Sequence, residues 1–286
     1  MKISIITINR NNAAGLERTI KSVVEQSYGN IEYIIIDGAS TDNSVEIIKN
    51  YAKMISYWIS ENDKGIYNAM NKGVDAASGD YCLFLNSGDK LLTPDSLANV
   101  LESDDLEEDI ICCDLFTNND KICNFRSAPK NKPTKLYISM RNPFPHPSTL
   151  IKTSLIKKFR YNEESKVAGD WMFFYDAMII DNVTYRHIPI PLSLFYLDGV
   201  SSLDGNPKGR AEGIEYLYKY MHPNIVSEIK DKKLRKEYLL ASSSMFLNTG
   251  SYNILYTVYK VLLIFENKIY RPLRSLYKNC RYKHTK

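Results

Sequence analysis

The sequence predicts an α/β fold: a doubly wound, mainly parallel sheet followed by a C-terminal helical extension. Three observations carry this. Short, unbroken apolar runs of the kind that form strands buried on both faces recur through the first 90 residues. Between them, apolar residues repeat at helical spacing. Each run also stops abruptly in Asn, Ser, Gly or Asp, the residues that turn a chain out of a sheet.

Ile3-Ser-Ile-Ile-Thr7-Ile8 is the first strand, broken by Asn9-Arg10-Asn11-Asn12. Leu16, Ile20, Val23 and Val24 mark the apolar face of a helix that ends before Tyr28-Gly29-Asn30. Tyr33 to Ile36 is a second strand, closed by Asp37-Gly38, and Ser40, Thr41 and Asp42 are cap candidates for a helix running to about Lys53. A third strand, Ile55 to Ile59, leads into Glu61-Asn-Asp63-Lys-Gly65. The helix from Ile66 to Ala77 is expected to stop at Gly79 as a C-terminal glycine. Tyr81-Cys-Leu-Phe-Leu85 is the fourth strand, ending in Asn86-Ser87-Gly88-Asp89.

Strands alternating with helices imply parallel pairing through right-handed crossovers. Thr7 with Asn9, Asp37, Asp63 and Asp89 then lie at or just past the carboxyl ends of four different strands. In an open parallel sheet that edge is where ligands bind. A carboxylate beside Gly88 reaches a hard cation such as Mg2+ or Mn2+, which takes oxygen ligands and leaves positions for substrate phosphates. Carboxylates also accept from nucleobase donors and ribose hydroxyls, so a metal-bound nucleotide suits all three Asp positions. No G-x-G-x-x-G follows the first strand and no G-x-x-x-x-G-K-[ST] occurs, which disfavours dinucleotide binding and excludes a P-loop.

Composition sets the setting. The 286 residues carry a net charge of +4, but residues 251–286 alone hold eight Lys and Arg against one Glu, so the body is slightly acidic. That argues against nucleic acid as a partner of the body. The five cysteines, Cys82, Cys112, Cys113, Cys123 and Cys280, lack metal-ligand spacing and read as reduced thiols of the cytoplasm. The first apolar run is too short for a signal peptide, and no stretch approaches the roughly 20 apolar residues of a membrane span.

Four motifs in order, Thr7-Ile-Asn9-Arg10, Asp37-Gly-Ala-Ser-Thr-Asp42, Asp63-Lys-Gly-Ile-Tyr-Asn-Ala-Met-Asn-Lys-Gly73 and Leu85-Asn-Ser-Gly-Asp89, resemble those of the family 2 glycosyltransferases of GT-A fold. The resemblance implies an inverting, hexosyltransferase-type enzyme that moves a sugar from a nucleotide-sugar, most often a UDP-sugar, onto an acceptor hydroxyl. It implies that Thr7 and Asp37 contact the nucleobase, that Asn9 lines the nucleotide, and that Asp63 meets the base or ribose. Asn86 and Ser87 stand in the segment of the family's D-x-D motif, where Asp89 would hold the divalent cation; Asn86 and Gly88 replace carboxylates there. Met70 stands where many members carry an arginine, which leaves Lys64, Lys72 or Arg10 to neutralise the diphosphate.

Past residue 115 the segments shorten. Ile110 to Phe116 and Ile122 to Phe125 read as a hairpin, Tyr185 to Ile190 and Leu192 to Leu197 as two late strands, and 198–207 as a loop where the family has a lid. Pro143-Phe-Pro145-His146-Pro147 is too proline-rich for a helix and resembles the family's acceptor-side His-x-Ser segment; a lone histidine is as often structural, so both readings of His146 stand. Ala168-Gly169-Asp170-Trp171 opens an apolar helix. By resemblance Asp170 is the general base and Trp171 lies on the acceptor side, whereas helix capping by Asp170 is the plain alternative, compatible with the first. Asp176 and Asp181 read as surface residues.

The expected organisation is a catalytic domain over 1–205, with a nucleotide half (1–115) and an acceptor half (116–205), then a helical region over 206–286. The basic, aromatic-rich stripe of 251–286 suits an anionic membrane surface or packing against protein. Family members of this size commonly extend lipid-linked saccharides in O-antigen, capsule or exopolysaccharide assembly, which implies a lipid-linked acceptor and a peripheral place on the inner face of the cell membrane. Two other readings are a sugar-nucleotide nucleotidyltransferase, which would want a Gly-rich phosphate loop after the first strand, and a non-catalytic nucleotide-sugar binder.

Overall fold

The computed structural model describes residues 1–101, 106–118, 123–197, 207–221, 223–231 and 234. Residues 1–232 form one compact unit, and the basic stripe of 251–286 lies outside the described residues. The nucleotide half follows the expected order: β1 (Ile3–Asn9), α1 (Ala13–Val24), β2 (Ile31–Asp37), α2 (Ser44–Asn50), β3 (Tyr57–Ser60), α3 (Ile66–Ala76) and β4 (Tyr81–Phe84). Next come β5 (Lys90–Leu91), α4 (Ser96–Leu101), β6 (Ile110–Asn118), β7 (Cys123–Arg126), α5 (Lys135–Met140), β8 (Thr149–Lys152), α6 (Thr153–Phe159) and α7 (Gly169–Tyr175). A single π turn, Asp176–Ile180, extends α7, and β9 (Tyr185–Tyr196), α8 (Pro207–Leu217) and α9 (Pro223–Lys230) complete the unit.

Among the described residues nine strands form one sheet in the order β3-β2-β1-β4-β8-β6-β9-β5, with β7 against the far half of β6. The pairs β1/β2, β2/β3, β1/β4 and β6/β9 are parallel. Chain order reverses at β1, which has β2 on one side and β4 on the other, so the crevice beyond their carboxyl ends is the switch point. Every residue of β1 is buried, as expected for a central parallel strand. One apolar layer packs Ile3, Ile5, Tyr33, Ile35 and Leu83 under Leu16, Ile20 and Ile48 of α1 and α2. The other packs Ile6, Ile34, Ile36 and Phe84 under Met70 and Val74 of α3 and the aromatic face of α7.

Four expectations change. The two late strands are one, β9, which stays paired with β6 across a register shift at Cys113–Leu115; the bulge absorbs Pro189 and Pro191, neither of which can donate to a ladder. The short antiparallel strand β8, wedged between β4 and β6, is unheralded because its four residues follow directly on the proline-rich stretch. That stretch contains a single 3-10 turn, His146–Ser148. Gly79 is no left-handed cap, since α3 ends at Ala76 and, among the described residues, the positive-φ glycines are Gly65 and Gly88. A side chain at Gly79 would instead meet the backbone of β1, 2.7 Å from Ser4 N and 2.8 Å from Lys2 O, so its role is close approach of two chains.

Candidate active site

The strand ends are knotted together by one buried carboxylate. Asp37 Oδ1 accepts from Asn9 Nδ2 (2.7 Å) and Ser40 Oγ (2.6 Å), and Oδ2 accepts from Ser40 N (2.9 Å) and Ser60 Oγ (2.6 Å). It thereby joins the ends of β1, β2 and β3, and it is fully buried. A carboxylate out of water must be satisfied in this way. With four donors already in place, Asp37 offers little to a nucleobase. Asn9, pinned by its Nδ2, leaves Oδ1 as a buried acceptor with no partner.

The neighbouring asparagines are equally committed. Asn11, at positive φ, accepts from Thr41 N, and Asn12 caps α1 at Gly15 N while its Nδ2 donates to Ser87 O. Asp42 accepts from Ser44 N and from Ala13 N, tying the starts of α1 and α2. Arg10 is left exposed above Gly38, where a Cβ would lie 2.3 Å from Asp63 Oδ2 and 3.4 Å from Arg10 Cδ. Asp63, Arg10 and Asp37-Gly38 therefore meet, as the strand order predicts.

Two nucleotide-side residues do other work. Thr7 is wholly buried and its hydroxyl donates to Leu85 O at 2.8 Å, so the expected nucleobase contact by its side chain is not available. Lys72 pairs with Glu61 (2.7 Å) and donates to Asn62 O (3.1 Å), on α3 rather than over a diphosphate. Arg10 and the exposed Lys64 remain as cations at the rim.

The Asn86–Asp89 turn continues β4 along β1, with Leu85 N donating to Ile6 O and Ser87 N to Ile8 O. Gly88 sits at φ 113°, a conformation open to glycine. Thr19 of α1 clasps the turn by accepting from Gly88 N and donating to Asp89 O, and Arg18 Nε donates to Gly88 O while its guanidinium lies 4.0 Å over the Tyr196 ring. The buried Asp89 receives Tyr196 N at 3.3 Å, and Asn86 Oδ1 is buried without a partner. Among the described residues no three His, Cys, Asp or Glu side chains cluster as a ready metal site. The turn offers one charged and one neutral oxygen ligand, a set that fits a hard cation only when a diphosphate and water complete its shell.

Asp170 stands in the first turn of α7. Oδ2 accepts from Asn142 Nδ2 (2.9 Å), and Oδ1 lies 3.3 Å from Tyr67 OH, which donates more closely to Val167 O (2.8 Å). A Cβ at Gly169 would come 2.8 Å from the Tyr67 ring, so the glycine before Asp170 gives that ring its place. The side chain of Asp170 bonds sideways to Asn142 and Tyr67, while the carboxylate of Glu212, from α8, holds the loop before α7 by accepting from Ser165 Oγ, Lys166 N, Val167 N and Ala168 N. Asn142, Tyr67 and Glu212 gave no sign in the sequence, because a polar residue beside a proline or on a helix is usually solvated.

The acceptor-side expectations divide. His146 Nε2 bonds Tyr161 OH at 2.8 Å, and its ring stacks on Phe84 with centroids 5.1 Å apart. Burial lowers its pKa against the pull of Asp170, which keeps it neutral near pH 7. Trp171 is not open to an acceptor: its Nε1 donates to Ile138 O at 2.7 Å and its ring packs on Tyr175 and Tyr216. Asp181 is a surface residue paired with Lys158, but Asp176 is partly buried against Tyr216 OH.

The strand order about β1, with its switch point and the Asn86–Asp89 turn that continues β4, is that of a GT-A fold. Solved structures share that fold: Staphylococcus aureus TarS residues 1–349, in complex with UDP-GlcNAc, has a TM-score of 0.63 at 18% identity over 80% of this chain and 70% of that one. The mannosyltransferase PcManGT of Pyrobaculum calidifontis, in complex with GDP-Man and Mn2+, gives 0.59 at 13% identity over 92% and 80%. The Glycosyl transferase family 2 model matches residues 4–165. An uncharacterised glycosyltransferase of Mycobacterium tuberculosis is 33% identical over 208 residues, 70% of this chain and 77% of the relative. The chain belongs to glycosyl transferase family 2.

Burial draws the pKa of Glu212 upward, but the Ser165 hydroxyl and the amides outweigh it and hold the carboxyl below 4.5. A depressed folded pKa adds stability that is present above the unfolded value and lost as pH falls through the folded one. Glu212→Gln is expected to lower stability at pH 7 by about 1 kcal/mol and to flatten the loss between pH 5 and pH 3. Parallel melting curves for the two proteins over that range would contradict the cap.

Proposed function

We propose that this glycosyltransferase transfers a hexose-type sugar, with inversion, from a UDP-sugar to a hydroxyl of a lipid-linked or polysaccharide acceptor. The observation that carries the reading is Asp170, a half-buried carboxylate in the first turn of α7 that accepts from Asn142, in a chain of this family. The acceptor oxygen attacks the anomeric carbon, the bond to the diphosphate breaks, and the acceptor proton passes to Asp170 while the nucleoside diphosphate leaves. One displacement inverts the anomeric centre. Asp63 and Asn9 would line the nucleotide, Arg10 and Lys64 the diphosphate, and Asn86 and Asp89 would hold a divalent cation, Mn2+ or Mg2+. Such a cation supplies charge neutralisation to the diphosphate when bound.

The orphan Asn9 Oδ1 supports a nucleobase that presents an N–H donor, because an unpaired buried acceptor costs about 1–3 kcal/mol until a donor arrives. A GDP-sugar would meet the same need. The aromatic surround of His146 suits a supporting part behind the base. Asp170→Asn should keep UDP affinity within about twofold and lose roughly 10²- to 10⁴-fold in turnover, with NMR of the wild-type product showing the opposite anomer to the donor. Turnover near wild type, or retention of configuration, would remove the assignment.

The acceptor reading rests on residues 251–286, whose eight Lys and Arg against one Glu suit an anionic lipid surface at about 1 kcal/mol per nearby cation. No helix among the described residues is long and apolar enough to cross a membrane. The protein would thus work peripherally on the cytoplasmic face of the membrane. Deleting 251–286 should abolish co-sedimentation with phosphatidylglycerol-containing liposomes; a truncated protein that still sediments would sink the idea.

A further inference from the structure

Within this reading of Asp170, the residues around the carboxylate differ sharply in how firmly they hold it. Asn142 is locked: its Oδ1 accepts from Phe144 N at 3.1 Å, and its own backbone carbonyl accepts from Arg126 Nη2 at 3.2 Å. With Oδ1 so used, Nδ2 is the end that faces Asp170, and it donates to Oδ2 at 2.9 Å. Oδ1 of Asp170 is held more loosely, because the single proton of Tyr67 OH is shared with the nearer Val167 O. Burial, reinforced by the charge of Asp170, raises the Tyr67 and Tyr161 hydroxyls well above their ordinary values, so both stay protonated.

We propose that Asn142 is a positioning residue that fixes the base by one oxygen, Oδ2, and leaves Oδ1 as the oxygen that receives the acceptor proton. The amide does two things at once. It sets the rotation of the carboxylate, and it spends its donor on the one oxygen that the acceptor does not use. The other titratable groups facing Asp170 are Tyr67 from α3, Tyr161 after α6 and His146 before β8; none of them is a standing charge near pH 7.

Asn142→Asp separates positioning from mere folding. Aspartate accepts from Phe144 N as well as asparagine does, so the local turn should persist, while the paired carboxylates lower the melting temperature near pH 7 more than near pH 4. It replaces the donor with a second carboxylate beside the first, however, and like charges sharing a site raise a pKa. The probe is the carboxyl 13C signal of Asp170 in the whole, ligand-free protein, assigned by its absence in Asp170→Asn. Its titration should move up by about one pH unit in Asn142→Ala and further in Asn142→Asp. With UDP-glucose, UDP-galactose or UDP-N-acetylglucosamine, whichever the wild type turns over, the acid limb of UDP release should shift the same way, and Asn142→Asp should regain activity as pH rises. An Asp170 titration unmoved in both variants would overturn the proposal while leaving the base assignment, which depends on Asp170→Asn, intact. If Asn142→Ala does not fold, Asn142→Asp alone decides.

Discussion

The interaction on which the rest depends is the buried Asp37 carboxylate with its four donors. Each bond to a charged group is worth about 1.5–3 kcal/mol, and an unmatched carboxylate would be far too costly to bury. The ends of β1, β2 and β3 are therefore constrained to one arrangement, in which Asn9, Ser40 and Ser60 all point at the same two oxygens. What this rim leaves over becomes the candidate ligand surface: Asn9 Oδ1, Asp63 and the Arg10 guanidinium. A residue that looks like a ligand-binding acid in the sequence serves instead as the clasp that aims its neighbours.

Helix α3 carries that order to the other side of the crevice. It starts just after Asp63, whose Oδ1 accepts from Gly65 N, and a Cβ at Gly73 would come 2.4 Å from Ile6 Cγ2, so the helix lies close on β1. Tyr67 then supports the start of α7, while Asn68 and Asn71 bind Glu163 and Asn71 also bonds Tyr161. The long motif from Asp63 to Gly73 is thus mostly a mechanical link between the strand-end rim and the loop that precedes Asp170. Glu212 closes the same loop from α8. The proposed base is held by α3, the Asn142 turn and α8 together, which is the kind of preorganisation that positioning and electrostatic catalysis require.

The architecture was legible where periodicity is strong. Buried strands and helices of the first 90 residues declare themselves by spacing, and strand order alone brings Asp37, Asp63 and Asp89 to one edge. Legibility failed where a residue's job depends on which way it points. Thr7 and Asn9 are two positions apart on β1, yet one is consumed by Leu85 O and the other keeps an acceptor open. Lys72 and Trp171 fall in motifs, but a nearby Glu61 and the carbonyl of Ile138 take their polar ends. Gly79 resembles a helix terminator and is a contact point between backbones. Asn142 and Glu212 reach Asp170 and the loop before α7 from 28 or more residues away, which no local pattern encodes.

The central claim is that the rim made by these strand ends binds a nucleoside diphosphate through Asp89 and a divalent cation. Thermal unfolding with UDP, GDP, dTDP or CMP, each with Mn2+ or EDTA, tests it most directly when run on the wild type and on Asp89→Ala. At about 100 times its dissociation constant a ligand adds roughly 2.7 kcal/mol, seen as a rise of about 5 °C or more. The account predicts such a rise with UDP and Mn2+, absent with EDTA, small with CMP and lost in Asp89→Ala. No rise with any nucleotide, or an equal one in Asp89→Ala, would contradict it.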